Sequence, residues 1–163
     1  MRLSASASRL LRAGRTAHLA TADKSGQPHV IPICFVFDGK YFFSPIDEKP
    51  KRTALSKLKR LKNIRENPQV TLVIDRYDEN WSKLAYVLIF GTARIQLSGD
   101  KHRRVVKLLR QKYHQYRVMA IDQRPMIVIM PKRIVSWGKL GSPPCVAESP
   151  RFTPRSSEFV DAK

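Results

Sequence analysis

The residues with the clearest capacity for chemistry are cations. Lys49, Lys51, Arg52, Lys57, Lys59, Arg60, Lys62 and Arg65 fall within seventeen residues, with no carboxylate between them. Cations with no Glu or Asp interleaved among them build no lattice of surface ion pairs along that stretch. The run begins in KPKRT, ahead of a helical pattern, and continues through that pattern. Loop amides, a helix N-terminus and several Lys or Arg side chains together suit phosphate or carboxylate groups. The plainest reading is a solvated helix face; the functional readings are a nucleic-acid backbone or the acidic groups of a small cofactor. No helix-turn-helix, aromatic RNA-binding platform or zinc finger accompanies the run, so nucleic acid is the weaker partner. A membrane-surface helix would set Trp or Phe opposite its cations, and this one offers Leu and Ile of core type.

Other reactive side chains are sparse. His18, His29, His102 and His114 show no metal-ligand spacing, and there is no HExxH, CxxC, GxGxxG or P-loop pattern, so no metal site is expected. His102 and His114 fall in a basic helical stretch and are expected to be solvated, whereas His29 opens a strand and reads as structural before catalytic. If a reaction here needs a proton donor, Tyr77 and His29 are the candidates; no catalytic dyad is apparent. Cys34 lies in an apolar run and Cys145 in a Pro-rich stretch, a pattern of a reducing cytoplasm and not of a disulfide framework. No apolar run is long enough to span a bilayer and no secretory pattern opens the chain. The net charge of +18 draws anions without identifying one.

The elements that must position these residues follow from periodicity. The basic, Ser/Ala-rich start leads through Leu10, Leu11 and Ala13 into a first strand, and so reads as a helix before a targeting segment. Strands are expected over 16–22 and 29–37, with turn DKSG between them; Asp38-Gly39 signals a hairpin into KYFFS. Both alternating sets of IPICFVF are apolar, which predicts cover on both faces, by a second subunit or a helix. Leu58, Leu61 and Ile64 mark a short helix with Ser56 as N-cap, ended by Asn67-Pro68. Strands 70–75 and 85–97 flank the loop YDENWSK. An amphipathic helix over 98–116 points Val105, Leu109, Tyr113 and Tyr116 inward and Lys101, Arg104, Lys107 and Arg110 outward, and strands 126–130 and 133–137 follow. Many short strands with few helices predict an α+β, mainly β barrel: one domain over 1–140, then a flexible polar tail over 141–163.

The order of a serine-ended strand, a basic helix, Asn-Pro and a strand (FFS…KRLKNIRENPQVTLVID) resembles the pyridoxamine 5′-phosphate oxidase-like split β-barrels. Lys59-Arg60 stand where that superfamily carries an Arg-Lys pair, seven to eight residues before Asn-Pro. TAHLATADKSGQPHVIPICFVFDGKYFFS is similar to its opening strands, with their Gly-x-Pro-His-x-x-Pro turn, and RPMIVIMPKRIVSWG to its last ones. The resemblance covers about residues 8 to 138. KPKRT…NI…NP with DxYDExW downstream looks most like the F420-dependent subgroup. It implies an FMN-binding type of split β-barrel, a homodimer with a flavin or deazaflavin in each interface cleft, and hydride transfer to a small organic substrate. By that analogy Lys57, Lys59 and Arg60 hold the cofactor phosphate, and Lys49, Lys51 and Arg52 reach more distant acidic groups. Ser44 with Pro32, Ile33, Cys34 and Phe35 lines the ring, and Trp81 and Trp137 are candidates for the cleft wall. The barrel end VSWGKLGSPP lacks the Trp-Arg-Leu and Arg-x-His elements of pyridoxamine 5′-phosphate oxidase proper.

FMN carries one phosphate, which two or three cations and a few amides satisfy. F420 carries a phosphodiester and an oligoglutamate tail and needs a longer cationic groove. Eight cations exceed the need of FMN, so F420 is the expected cofactor and FMN the alternative. The same barrel could also hold either cofactor without catalysis, as a carrier or sensor.

Overall fold

The protein is described by a computed structural model that covers residues 4–47 and 58–138. Lys49, Lys51, Arg52, Lys57, the proposed N-cap Ser56 and the tail from 141 lie outside the described residues. In chain order the elements are α1 (Ala5–Ala13), β1 (Ala17–Ala22), β2 (Pro28–Ile33), β3 (Val36–Phe37), β4 (Phe42–Pro45), α2 (Lys59–Glu66), β5 (Gln69–Arg76), β6 (Ala85–Gln96), α3 (Asp100–Lys112) and β7 (Met126–Gly138). The strands form one antiparallel sheet of order β2-β1-β5-β6-β7-β4-β3. β2 and β3 are its two edges, yet only Cys34 and Phe35 separate them in the chain. Three residue steps reach about 10 Å at most, so the sheet must curl until its edges meet. This is the expected α+β split barrel.

Two apolar cores follow from that curl. Leu19, Ile33, Phe42, Leu72, Ile74, Ile89, Ile127 and Ile129 fill the barrel, with Leu11 of α1 and Leu61 and Ile64 of α2 closing it. Val36, Phe43, Val105, Leu109, Tyr113, Tyr116, Met126 and Val128 form the second core, beneath α3. β4 and the first half of β7 therefore have both faces covered: Phe42 and Ile129 point into the barrel, Phe43 and Val128 toward α3. Their unbroken apolar runs are the sequence form of double burial.

The structure differs from the sequence expectations in specific places. The apolar run 29–37 breaks after Ile33, because the buried Tyr113 hydroxyl takes the Phe35 N–H at 3.0 Å and so replaces a ladder partner. Val30 is 58 % exposed and Pro32 is exposed, so no described residue covers the outer face of β2. The two last strands are one, kept continuous by a bulge at Phe90/Gly91, where Gly91 pairs with Pro131. Pro131 lacks an N–H, and a bulge is a position that tolerates the loss. α3 ends at Lys112, and His114–Arg117 form a separate 3-10 turn that carries Tyr116 inward. His102 is not solvated: it is 3 % exposed, with Nε2 3.0 Å from the Arg124 carbonyl. It lies on the buried face of α3 with Val105, Val106 and Leu109. Lys101 is also drawn in, its ammonium 3.7 Å from the Tyr41 ring centre.

Gly91 is required by close approach. A Cβ there would overlap the Met130 carbonyl oxygen and lie 3.1 Å from Pro131 Cα. Both neighbours are backbone of a paired strand, so relief means parting β6 from β7. Gly91→Ala is expected to cost about 1–3 kcal/mol of stability, the range for overpacking, read as a lower urea midpoint at unchanged m-value.

Candidate functional site

A cleft of about 250 Å³ opens at the seam where the sheet edges meet, lined by Ile31, Pro32, Ile33, Cys34, Ser44, Pro45, Asp47 and Arg60. Five of the residues singled out for cofactor binding (Pro32, Ile33, Cys34, Ser44 and Arg60) are thus brought together from β2, the β2–β3 link, β4 and α2. Phe35 is fully buried behind this wall, not on it. Trp81 and Tyr77 are exposed by 75 % and 67 % at the β5–β6 connection. Trp137 is half exposed and stacked on Tyr86 with ring centres 5.6 Å apart. None of the three lines the cleft. Tyr77 donates to Glu79 at 3.4 Å.

Arg60 sits in the first turn of α2, whose N-cap, Leu58, offers no side-chain bond to the leading amides. A helix start without a side-chain cap and a guanidinium are each suited to an anion. Burial pulls the Arg60 guanidinium below its ordinary value and Asp47 opposes that pull. Asp47 is itself buried and accepts the Tyr116 hydroxyl proton at 3.1 Å. Neither Asp47 nor Tyr116 was expected at the site, and nothing in sequence spacing joins residues so far apart. Burial raises the Tyr116 hydroxyl far above its ordinary value, with Cys34 and Asp47 adding to it, so it stays a donor.

Lys59, next in the chain, points elsewhere. Its ammonium meets Asp23 of the β1–β2 turn at 2.7 Å, and that contact holds the Asp23 carboxyl well below the usual carboxylate range. Neighbours on a helix are about 100° apart, so one cation faces the cleft and the other the turn. Asn63, one turn on and fully buried, donates to the Thr21 hydroxyl at 3.0 Å; Thr21 in turn donates to the His29 carbonyl at 3.4 Å. This chain clamps α2 to β1 and β2 and so fixes where Arg60 stands.

His29 lies in the field of these cations. Its ring is held below 6.5 by burial, then by Arg60 and Lys59, and its Nδ1 has no partner among the described residues. The imidazole is therefore neutral at pH 7. Because the folded value lies below the unfolded one, the neutral ring's contribution to stability is present above about 6.5 and is lost as pH falls through the folded value. In an NMR titration His29 is expected to show a midpoint below 6.5, and Arg60→Ala is expected to move that midpoint upward. An unmoved midpoint would place Arg60 away from His29.

Among the described residues no three His, Cys, Asp or Glu side chains gather to hold a metal, and no helix is long and apolar enough to cross a membrane.

The sequence model of a family described as pyridoxamine 5′-phosphate oxidase matches residues 3–138. The chain is 28% identical over 129 residues to the 5a,11a-dehydrotetracycline/5a,11a-dehydrooxytetracycline reductase of Streptomyces rimosus, covering 78% of each chain. Its fold is similar to that of a structure described as an F420 reductase, with a TM-score of 0.60 and 21% identity over 83% of this chain and 98% of that one. It is also similar to HutZ, the haem storage protein of Vibrio cholerae, with a TM-score of 0.66 and 16% identity over 85% of this chain and 95% of that one. These two likenesses concern the fold. With the family model spanning every described strand and the curled sheet in place, the chain belongs to the pyridoxamine 5′-phosphate oxidase family.

Proposed function

We propose that the protein is an oxidoreductase that uses F420, with FMN as the alternative, to transfer a hydride to or from a small organic substrate in the cytoplasm. The observation that carries this reading is the seam cleft, which Arg60 of the first turn of α2 lines together with Pro32, Ile33 and Ser44. A phosphate suits the guanidinium and amides, and the apolar strand edge suits one face of a ring. The bound cofactor supplies the hydride chemistry; the chain binds, orients and excludes water.

The preference for F420 rests on connectivity. Asp47 and Arg60 both line the cleft, and the sequence between them carries Lys49, Lys51, Arg52 and Lys57. These cations are proposed to meet the acidic groups beyond the phosphate, with Lys59 in reserve behind Asp23. At 250 Å³ the cleft of one chain is smaller than usual ligand sites, which supports a homodimer whose second copy completes it. The exposed apolar residues of the sheet's outer surface, Val30, Val135 and Trp137, support the same arrangement. In it Trp81 and Trp137 act from the partner's side. Of the two proton-donor candidates, His29 is kept neutral at pH 7 by burial and by the field of Arg60 and Lys59, so it is not preferred over Tyr77 as a donor. Pyridoxamine 5′-phosphate is not the proposed substrate, since VSWGKLGSPP lacks the family's residues for it.

Oxidation of reduced F420 followed spectroscopically against enone and quinone acceptors tests the reading. Saturable, acceptor-dependent oxidation is expected. Tight cofactor binding with no turnover across the panel would assign the protein a carrier role.

A further inference from the structure

A second cavity, of about 360 Å³, lies between α1 and α3 and shares no lining residue with the seam cleft. Its floor is apolar, built by Leu11, Val36, Phe37 and Leu108, and its rim carries Arg12 and Lys112. Arg15 lies close by, its guanidinium 4.9 Å from the Tyr113 ring centre. Among the described residues no ion pair joins Arg12, Arg15 or Lys112 to a carboxylate.

Lys112 is the telling group. Its ammonium rests 4.0 Å from the Phe35 ring centre and 5.6 Å from that of Tyr113. Ring faces attract a cation, but they do not replace the hydration lost on burial, and a half-buried cation gains most from an anion. Burial, followed by the repulsion of Arg15, brings Lys112 down to about 8, against a smaller opposing effect of Cys34. An anion seated at the rim would relieve both effects.

We propose that this groove binds an amphipathic monoanion, a carboxylate on a short hydrocarbon body, with Lys112 and Arg12 taking the carboxylate and Leu11, Val36, Phe37 and Leu108 the body. Charge complementarity selects this occupant. A second copy would bring the same cations against this rim in a chain of net charge +18, and a bare phosphate would leave the apolar floor wet. The cavity's size falls within that of small-molecule sites.

The test is calorimetric titration of the full chain with decanoate below its micelle concentration, alongside decanol, inorganic phosphate and vesicles of anionic lipid. Saturable 1:1 binding of decanoate is expected, at least tenfold tighter than that of decanol or phosphate. Lys112→Met, which keeps the stem on Phe35, and Arg12→Gln at an exposed position are each expected to weaken it about tenfold. If Lys112→Met fails to fold by circular dichroism, Arg12→Gln decides. Decanoate affinity untouched by the variant, binding to vesicles alone, or a monomer–dimer shift on Arg12→Gln would each overturn the proposal. Arg60→Ala is expected to leave decanoate binding unchanged, so the groove and the cofactor cleft are tested separately.

Discussion

Arg60→Ala is expected to lower affinity for F420, and for FMN, by roughly tenfold to more than a hundredfold, the scale of about 1.5–3 kcal/mol for a hydrogen bond to a charged group. The expectation rests on its place in the cleft lining and on the uncapped first turn it shares. Lys59→Ala is expected to do much less, because that ammonium is already held by Asp23 at 2.7 Å and sits in a partly exposed ion pair. Fluorescence titration of both variants ranks them. Equal losses would mean that Lys59 leaves Asp23 to join Arg60 on the phosphate, and an unaffected Arg60→Ala would remove the phosphate assignment. Folding of either variant should change little, since neither side chain fills a core.

Tyr113→Phe is expected to cost about 2–4 kcal/mol of stability, because it strands buried backbone groups that have no other partner of comparable geometry. The Tyr113 hydroxyl accepts the Phe35 N–H at 3.0 Å and lies 2.8 Å from both the Phe35 and Arg15 carbonyls, which share its one proton. Burial pushes the hydroxyl up to about 12, so it stays protonated through the neutral range. These bonds tie the end of α3 to the two-residue link that carries the sheet from one edge to the other. Urea unfolding should show the loss, and hydrogen exchange should show it concentrated at Cys34–Phe37. An equal loss of protection throughout the chain would indicate a general packing effect in place of a seam clamp.

The strands were legible because their burial alternates with period 2, or is continuous where both faces are covered, as in FFS and MIVIM. The inward set of α3 was legible at Val105, Leu109 and Tyr113. His102 belongs to that set by spacing, and its charge-bearing neighbours obscured the fact; the helical period was the better guide. The break at Cys34–Phe35 left no local mark, since its cause is a hydroxyl 78 residues along the chain. In the same way the bulge that joins the last two strands is set by Gly91 on the facing strand, and Pro131 alone suggested an end. At the site, charge type marked α2 as a candidate anion site but could not divide its cations. The division comes from helix geometry and from Asp23, which lies in another turn. Asp47 and Tyr116 carried no signal, because their roles arise only when the curled sheet brings β4 against the turn after α3.

The central claim is that the seam cleft is a cofactor site with a deazaflavin preference. Titration of the purified protein with F420 and with FMN, followed by absorbance and fluorescence, tests it most directly. Saturable binding of both, with F420 the tighter and each weakened by Arg60→Ala, is the expected result. Tighter FMN would reverse the cofactor preference. Binding of neither would contradict the account.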